Sequence, residues 1–179
     1  IQGLPFFQLA YDPGNDIHII GPKRAGTTLL ECLERQMLPP NFPVPFSLLQ
    51  GVKSVTEIAS GETLQVGDSR VHAQALNHPN ESMGYRIEHD GRSLAYCLDH
   101  EHGDTNDIHP GVTALAQNAD MLVFDAAYTD EEYPSFRGWG HSTWQEGCKT
   151  ARALDVRILA LAGFNPGVVD ADLDLIKAE

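Results

Sequence analysis

At Asp99 the spacing of apolar residues changes character. Over 53–98 short β-type runs dominate, with Val55, Ile58, Leu64, Val66, Val71 and Ala75 set among turn residues such as Ser60-Gly61 and Gly67-Asp68. Runs at 83–88 and 93–98 flank Asp90-Gly91, a dipeptide that enters the left-handed backbone region easily and so suits a tight hairpin. Beyond Asp99 helices alternate with buried strands: helix over 107–117, strand over 121–124, helix over 142–154, strand over 157–161 and a closing helix over 171–177. A run of strands followed by αβ units predicts a sheet-rich α/β domain with helices packed outside.

The residues before 53 add a short strand at 17–20, closed by Gly21-Pro22, and a helix over 25–37 with Leu29, Leu30, Leu33 and Met37 on one side. The stretch 38–46 carries Pro39, Pro40, Phe42, Pro43 and Pro45, which blocks regular structure and predicts a packed surface loop. No linker divides the chain, so 1–179 is expected to be a single domain.

Charge narrows the function. A net charge of −13 repels phosphate backbones, and Lys23-Arg24 is too small a basic patch to reverse that, so nucleic acid is a disfavoured partner and a small-molecule substrate is preferred. The three cysteines, Cys32, Cys97 and Cys148, share no CxxC spacing, which fits a reducing cytoplasm better than a disulfide framework. No apolar run is long enough to span a membrane. The opening Ile1-Gln2-Gly3 carries no signal-peptide pattern and reads as a chain cut at that end. A homodimer stays open.

Two polar residues stand directly after apolar strands. His78 follows the run 71–76, and Asp99 follows 94–98. Strand ends are rigid and open into loops, so a ligand there is both fixed and reachable, and imidazole with carboxylate suits zinc, manganese or iron. Read alone, each also has a plainer meaning, as a turn residue in Asn77-His78-Pro79 and as a cap after a strand. His100, Glu101 and His102, with His109 nearby, could bind a metal through the His-x-His pair but read more readily as a solvated surface cluster, and His18, His72 and His89 read as packing or edge residues. His141 follows the glycine-rich Gly138-Trp139-Gly140 and precedes a helix start with capping-box spacing, either Ser142 with Gln145 or Thr143 with Glu146. That position reads either as a proton donor beside a phosphate held by backbone N–H groups or as a plain capped helix anchored by Trp139 and Trp144.

Taken together, these residues resemble a known family. Residues 1–7, IQGLPFF, are similar to the stretch that follows the His-x-His-x-Asp-His motif in one bacterial branch of the metallo-β-lactamase superfamily. Asn77-His78-Pro79, the run 84–99, Asp125-Ala126-Ala127-Tyr128-Thr129 and the run 138–146 resemble later motifs of that branch, in the same order. The resemblance implies an αββα sandwich lacking its N-terminal part, two divalent metals such as zinc, and metal-activated water attacking an ester-like bond. It implies His78 as a ligand of one metal and Asp99 as the bridge between two. His141 resembles the histidine of the His-Ser-Thr motif in tRNA 3′-processing nucleases, where it assists the phosphoryl group. With class II cyclic-nucleotide phosphodiesterases as the other relatives, the implied substrate is a phosphodiester or similar phosphorylated small molecule.

Two departures accompany the resemblance. The His-x-His-x-Asp-His motif is absent, and Gly163 stands where the last strand should end in a ligand histidine. The second departure keeps an alternative alive: a degenerate, non-catalytic binding module or a gene fragment.

Overall fold

The computed structural model describes residues 2–105 and 107–178. They group into two compact units meeting in sequence at Ala59 and Ser60.

In the first unit, short 3-10 turns at Leu4–Phe6 and Gln8–Tyr11 lead to β1 (Ile17–Pro22), which pairs in parallel with β2 (Val52–Ile58). Between them lies α1 (Leu29–Gln36). It starts later than the apolar spacing predicts because Gly26 turns left-handed at φ +79° and Thr28 caps the helix. The Thr28 hydroxyl accepts the Glu31 N–H at 3.1 Å and the Glu31 carboxylate accepts the Thr28 N–H at 2.7 Å, a reciprocal capping box. Ala10, Met37 and Leu49 form a small core. Phe42 and Phe46, from the proline-rich stretch, pack against it, so that loop is structural, as its composition predicts.

The second unit is built on a six-stranded sheet whose strands lie in chain order: β3 (Thr63–Val66), β4 (Ser69–Leu76), β5 (Ser82–His89), β6 (Arg92–Cys97), β7 (Met121–Asp125) and β8 (Ile158–Ala162). The first four pair antiparallel, and β6, β7 and β8 run parallel. Asp90 and Gly91, at φ +46° and +70°, make the β5–β6 hairpin as read from sequence. Parallel neighbours need crossovers, supplied by α2 (Pro110–Ala116) between β6 and β7 and by the stretch holding α3 (Tyr133–Phe136) and α4 (Trp144–Ala153) between β7 and β8. Helix α5 (Asp170–Ala178) follows.

Leu76, Ala95, Cys97, Val112, Leu115, Leu122, Phe124 and Leu154 form one buried cluster joining the sheet to its helices. A fully buried leucine or phenylalanine of this kind contributes about 1.5–3 kcal/mol. The cluster fixes the C-terminal ends of β4 and of the parallel strands β6 and β7, where the polar residues of interest emerge. Helices α2 and α4 start later than their periodicity predicts because side chains cap them. His109 Nδ1 accepts the Gly111 N–H at 3.2 Å, and Thr143 Oγ1 accepts the Glu146 N–H at 3.1 Å. His18, His72 and His89 bond neighbouring side chains (Ser54, Thr63 and Ser69, respectively), the edge role expected of them. No helix among the described residues is long and apolar enough to cross a membrane.

Candidate metal centre

Three loops deliver the site. His78 leaves the end of β4, Asp99 the end of β6, and His141 stands three residues before α4. Each offers one donor atom, and those atoms lie within 4.8 Å of one another. Residues separated by as many as 63 positions thus meet, and among the described residues this is the one trio of His, Cys, Asp or Glu so arranged.

Local backbone chemistry makes the approach possible. Asp99 sits in the left-handed region at φ +51°, which its short polar side chain tolerates, and its carbonyl accepts the Ser82 hydroxyl at 2.7 Å. Gly140 has φ +91°, and a Cβ there would lie 2.3 Å from His78 Cδ2. Only glycine lets the His141 loop pass this close to the His78 ring.

Behind the trio stands Asp125, at the end of β7 and almost fully buried. Its carboxylate lies 2.8 Å from His141 Nδ1 and accepts N–H groups from His100 at 3.3 Å, Ser142 at 3.2 Å and Ala127 at 3.4 Å. His141 therefore has Nδ1 committed to Asp125 and Nε2 left for other work. A carboxylate behind an imidazole is the usual support of a metal-bound or proton-transferring histidine, since it fixes tautomer and ring orientation. Sequence reading placed Asp125 in a family signature but gave it no role. The available signal was the one that marked Asp99, a carboxylate directly after an apolar strand.

Glu101 was also missed. It is buried, and its carboxylate accepts the Tyr133 hydroxyl at 2.8 Å and the N–H groups of Gly138 at 2.7 Å and Gly140 at 2.9 Å. Burial by itself would raise this carboxyl, but the hydrogen bonds from Gly138, Tyr133 and Gly140 outweigh it and hold Glu101 below its usual range. The same residue's backbone is tied to the His78 loop: Glu101 N–H donates to the Asn77 carbonyl at 2.8 Å, and Asn77 Nδ2 donates to the Glu101 carbonyl at 2.7 Å.

These contacts correct two sequence readings. His100 and Glu101 are buried rather than solvated. His102 is half-buried and lies against Tyr133, ring centroids 4.2 Å apart. Burial, with His109 and His102 nearby, pushes the His100 imidazole down to about 3, so it stays neutral. The backbone N–H groups around His141 are not free for an anion either. Those of Gly138 and Gly140 are taken by Glu101, that of Trp139 by the Phe136 carbonyl and that of Ser142 by Asp125.

His78 and Asp99 bring together an imidazole and a carboxylate, donor types that suit a divalent ion such as zinc, manganese or iron, and His141 stands beside them with Nε2 uncommitted. Gly163 contributes no donor. It follows β8, at the same sheet end as Asp99 and Asp125, with φ +77° and open space where a Cβ would stand. A side chain there has room but meets a backbone that costs roughly 1–2 kcal/mol for a non-glycine residue.

Comparison with known proteins agrees with the fold. The family profile described as "Beta-lactamase superfamily domain" matches residues 10–164. Ribonuclease Z of Nostoc sp. is 32% identical over 111 residues, covering 62% of this chain and 30% of that enzyme. The short form of human tRNase Z superposes with a TM-score of 0.62 at 21% identity, over 85% of this chain and 62% of that one. Zn(2+)-bound PqqB from Methylobacterium extorquens superposes with a TM-score of 0.62 at 18% identity, over 95% and 63%. The matched stretch thus spans under a third of the curated relative and less than two thirds of the solved chains. With strands, helices and profile in agreement, the chain belongs to the β-lactamase superfamily and has the metallo-β-lactamase fold, with ribonuclease Z among the proteins it is similar to.

Proposed function

We propose that the protein is a metal-dependent hydrolase of small phosphodiesters, with His78 and Asp99 as metal ligands, Asp99 as the bridge where two ions bind, and Asp99 and His141 as catalytic residues. The observation that carries this reading is the meeting of His78, Asp99 and His141 with Asp125 behind His141. The family profile runs through both compact units, which supports treating 1–179 as part of one domain.

A divalent ion at this site, zinc being the best match to the donor set, supplies Lewis acidity and an activated water. Asp99 and His78 hold position from strand-end loops. Asp125 keeps the His141 ring oriented with Nε2 available, and Nε2–H is the proton source for the departing alkoxide. As the ring passes between charged and neutral forms, the Asp125 carboxylate steadies the imidazolium. The net charge of −13 favours small substrates over polynucleotides, and the three free cysteines suit the cytoplasm.

Gly163 favours a second reading, a degenerate module that binds without turnover, because a strand end that should hold an imidazole holds none. One experiment separates the two. The full-length protein is dialysed, its metal content measured, and hydrolysis of methyl p-nitrophenyl phosphate followed for the wild type, His78→Ala and Asp99→Ala. The hydrolase reading expects tightly bound divalent metal and turnover, both falling at least tenfold in each variant. Metal binding without turnover supports the module. Turnover that survives both substitutions places the chemistry elsewhere.

A further inference from the structure

Trp139 stands two residues before His141, yet its indole is 64% exposed. Exposure of that much apolar surface is unfavourable, and on a loose loop the ring would fold down onto its neighbours. This loop is held. Gly138 and Gly140, on either side, adopt φ +84° and +91° and donate both N–H groups to the buried Glu101 carboxylate. The indole is braced as well as exposed. Its ring meets Phe136 edge to face, centroids 5.5 Å apart and planes at 89°; Phe136 stacks flat on Tyr128 at 4.4 Å and 5°; and Tyr128 meets the His141 ring at 6.3 Å and 74°. A continuous series of aromatic contacts therefore runs from the candidate centre to an open indole.

We propose that Trp139 is a stacking platform for a nucleobase whose phosphodiester lies at His78, Asp99 and His141, so that the site prefers nucleotides over phosphodiesters without a base. The proposal rests on the phosphodiesterase reading. Three features favour a base as the occupant. The Cα atoms of Trp139 and His141 are at most about 7 Å apart, so the indole and the imidazole rise from one short loop. The N–H groups of Gly138, Trp139 and Gly140 are already bonded, so this loop offers a flat apolar ring and no backbone donors for a polyhydroxyl ligand. Stacking on an indole tolerates any base, since each has a π face. It also adds no positive charge, in keeping with a protein that binds nucleotides without a basic surface.

The test is calorimetric titration of the metal-loaded full-length protein with adenosine 5′-monophosphate and with ribose 5-phosphate, product-like monoesters that carry adenine or a hydroxyl at the same ribose carbon. The proposal expects the nucleotide to bind roughly tenfold or more tightly, within the range that one stacked base gives. Trp139→Ala should abolish that difference and Trp139→Phe keep most of it. Equal affinity of the two ligands in the wild type overturns the platform, as does a preference that survives Trp139→Ala. Hydrolysis of methyl p-nitrophenyl phosphate, which has no base, reports on the phosphodiesterase reading separately. A nucleotide preference without turnover sinks that reading and leaves the platform, and turnover without a preference does the reverse.

Discussion

Asp125 shows how much of a site can rest on a residue that touches no substrate. Its one free direction is toward His141 Nδ1, because three backbone N–H groups hold the rest of the carboxylate. Asp125→Asn keeps the shape but offers the imidazole an amide in place of a negative charge. The wrong tautomer is then stabilised and the imidazolium loses its partner. We expect kcat for a dinucleotide, whose alkoxide leaving group needs a proton, to fall by roughly 10²–10⁴-fold, with metal content and melting temperature little changed. Equal kcat in the two proteins would falsify the proton-donor role of His141. His78, Asp99 and His141 were legible in sequence, the first two by their places after apolar runs and all three by their motifs. Asp125 obeyed the same placement rule, but its function depends on a partner 16 residues away, and spacing does not encode which loops meet. Glu101 was harder still. Its donors lie 32 to 39 residues downstream, and a glutamate between two histidines reads as solvated unless the fold is known.

At the scale of elements, legibility followed local chemistry. The Asp90-Gly91 hairpin, β7 and β8 carry their signals in neighbouring residues and appear where the sequence places them, while the capped helices start two to four residues later than expected. Helix α3 was missed because a four-residue turn containing Pro134 has no room for periodicity. Parallel pairing among β6, β7 and β8 was legible only as alternation, and the feature that aligns their starts was not. That feature is Asp120. Its carboxylate accepts Arg92 at 2.9 Å and the Ser93 N–H at 2.9 Å, and pairs with Arg157 at 3.2 Å, tying together the residues that open all three strands. The bonds from Arg92 and Ser93 hold its pKa well below the usual 3.8, to about 2. A depressed carboxyl stabilises the fold fully above its unfolded value and loses that contribution as pH falls toward the folded one. Acid unfolding followed by circular dichroism should therefore steepen between about pH 4 and pH 2, and Asp120→Asn should flatten that segment specifically. An unchanged profile would show that these strand starts are held by packing alone.

For the whole molecule, acidity is the property with the widest reach. A chain carrying −13 would repel an approaching phosphodiester until the last few ångströms, where the proposed cation would reverse the field. Salt screens the repulsion over about 10 Å at 0.1 M while leaving contacts at the metal nearly intact. We expect kcat/KM for a dinucleotide to rise as ionic strength is raised from 20 to about 150 mM, opposite to the loss seen when a basic protein binds nucleic acid. A steep fall with salt would instead mean that local positive charge, not the net charge, governs the approach of the substrate.

Glu101 has one more consequence. With its backbone it holds the loop of His78, with its carboxylate the loop of His141, and it lies two residues from Asp99 on the third. The three donors are therefore not independent parts that could be loosened or improved one at a time. Local opening at Glu101 would release the His78 and His141 loops together, so the loops of the site are expected to unfold as one cooperative segment around a buried glutamate that need never meet the substrate.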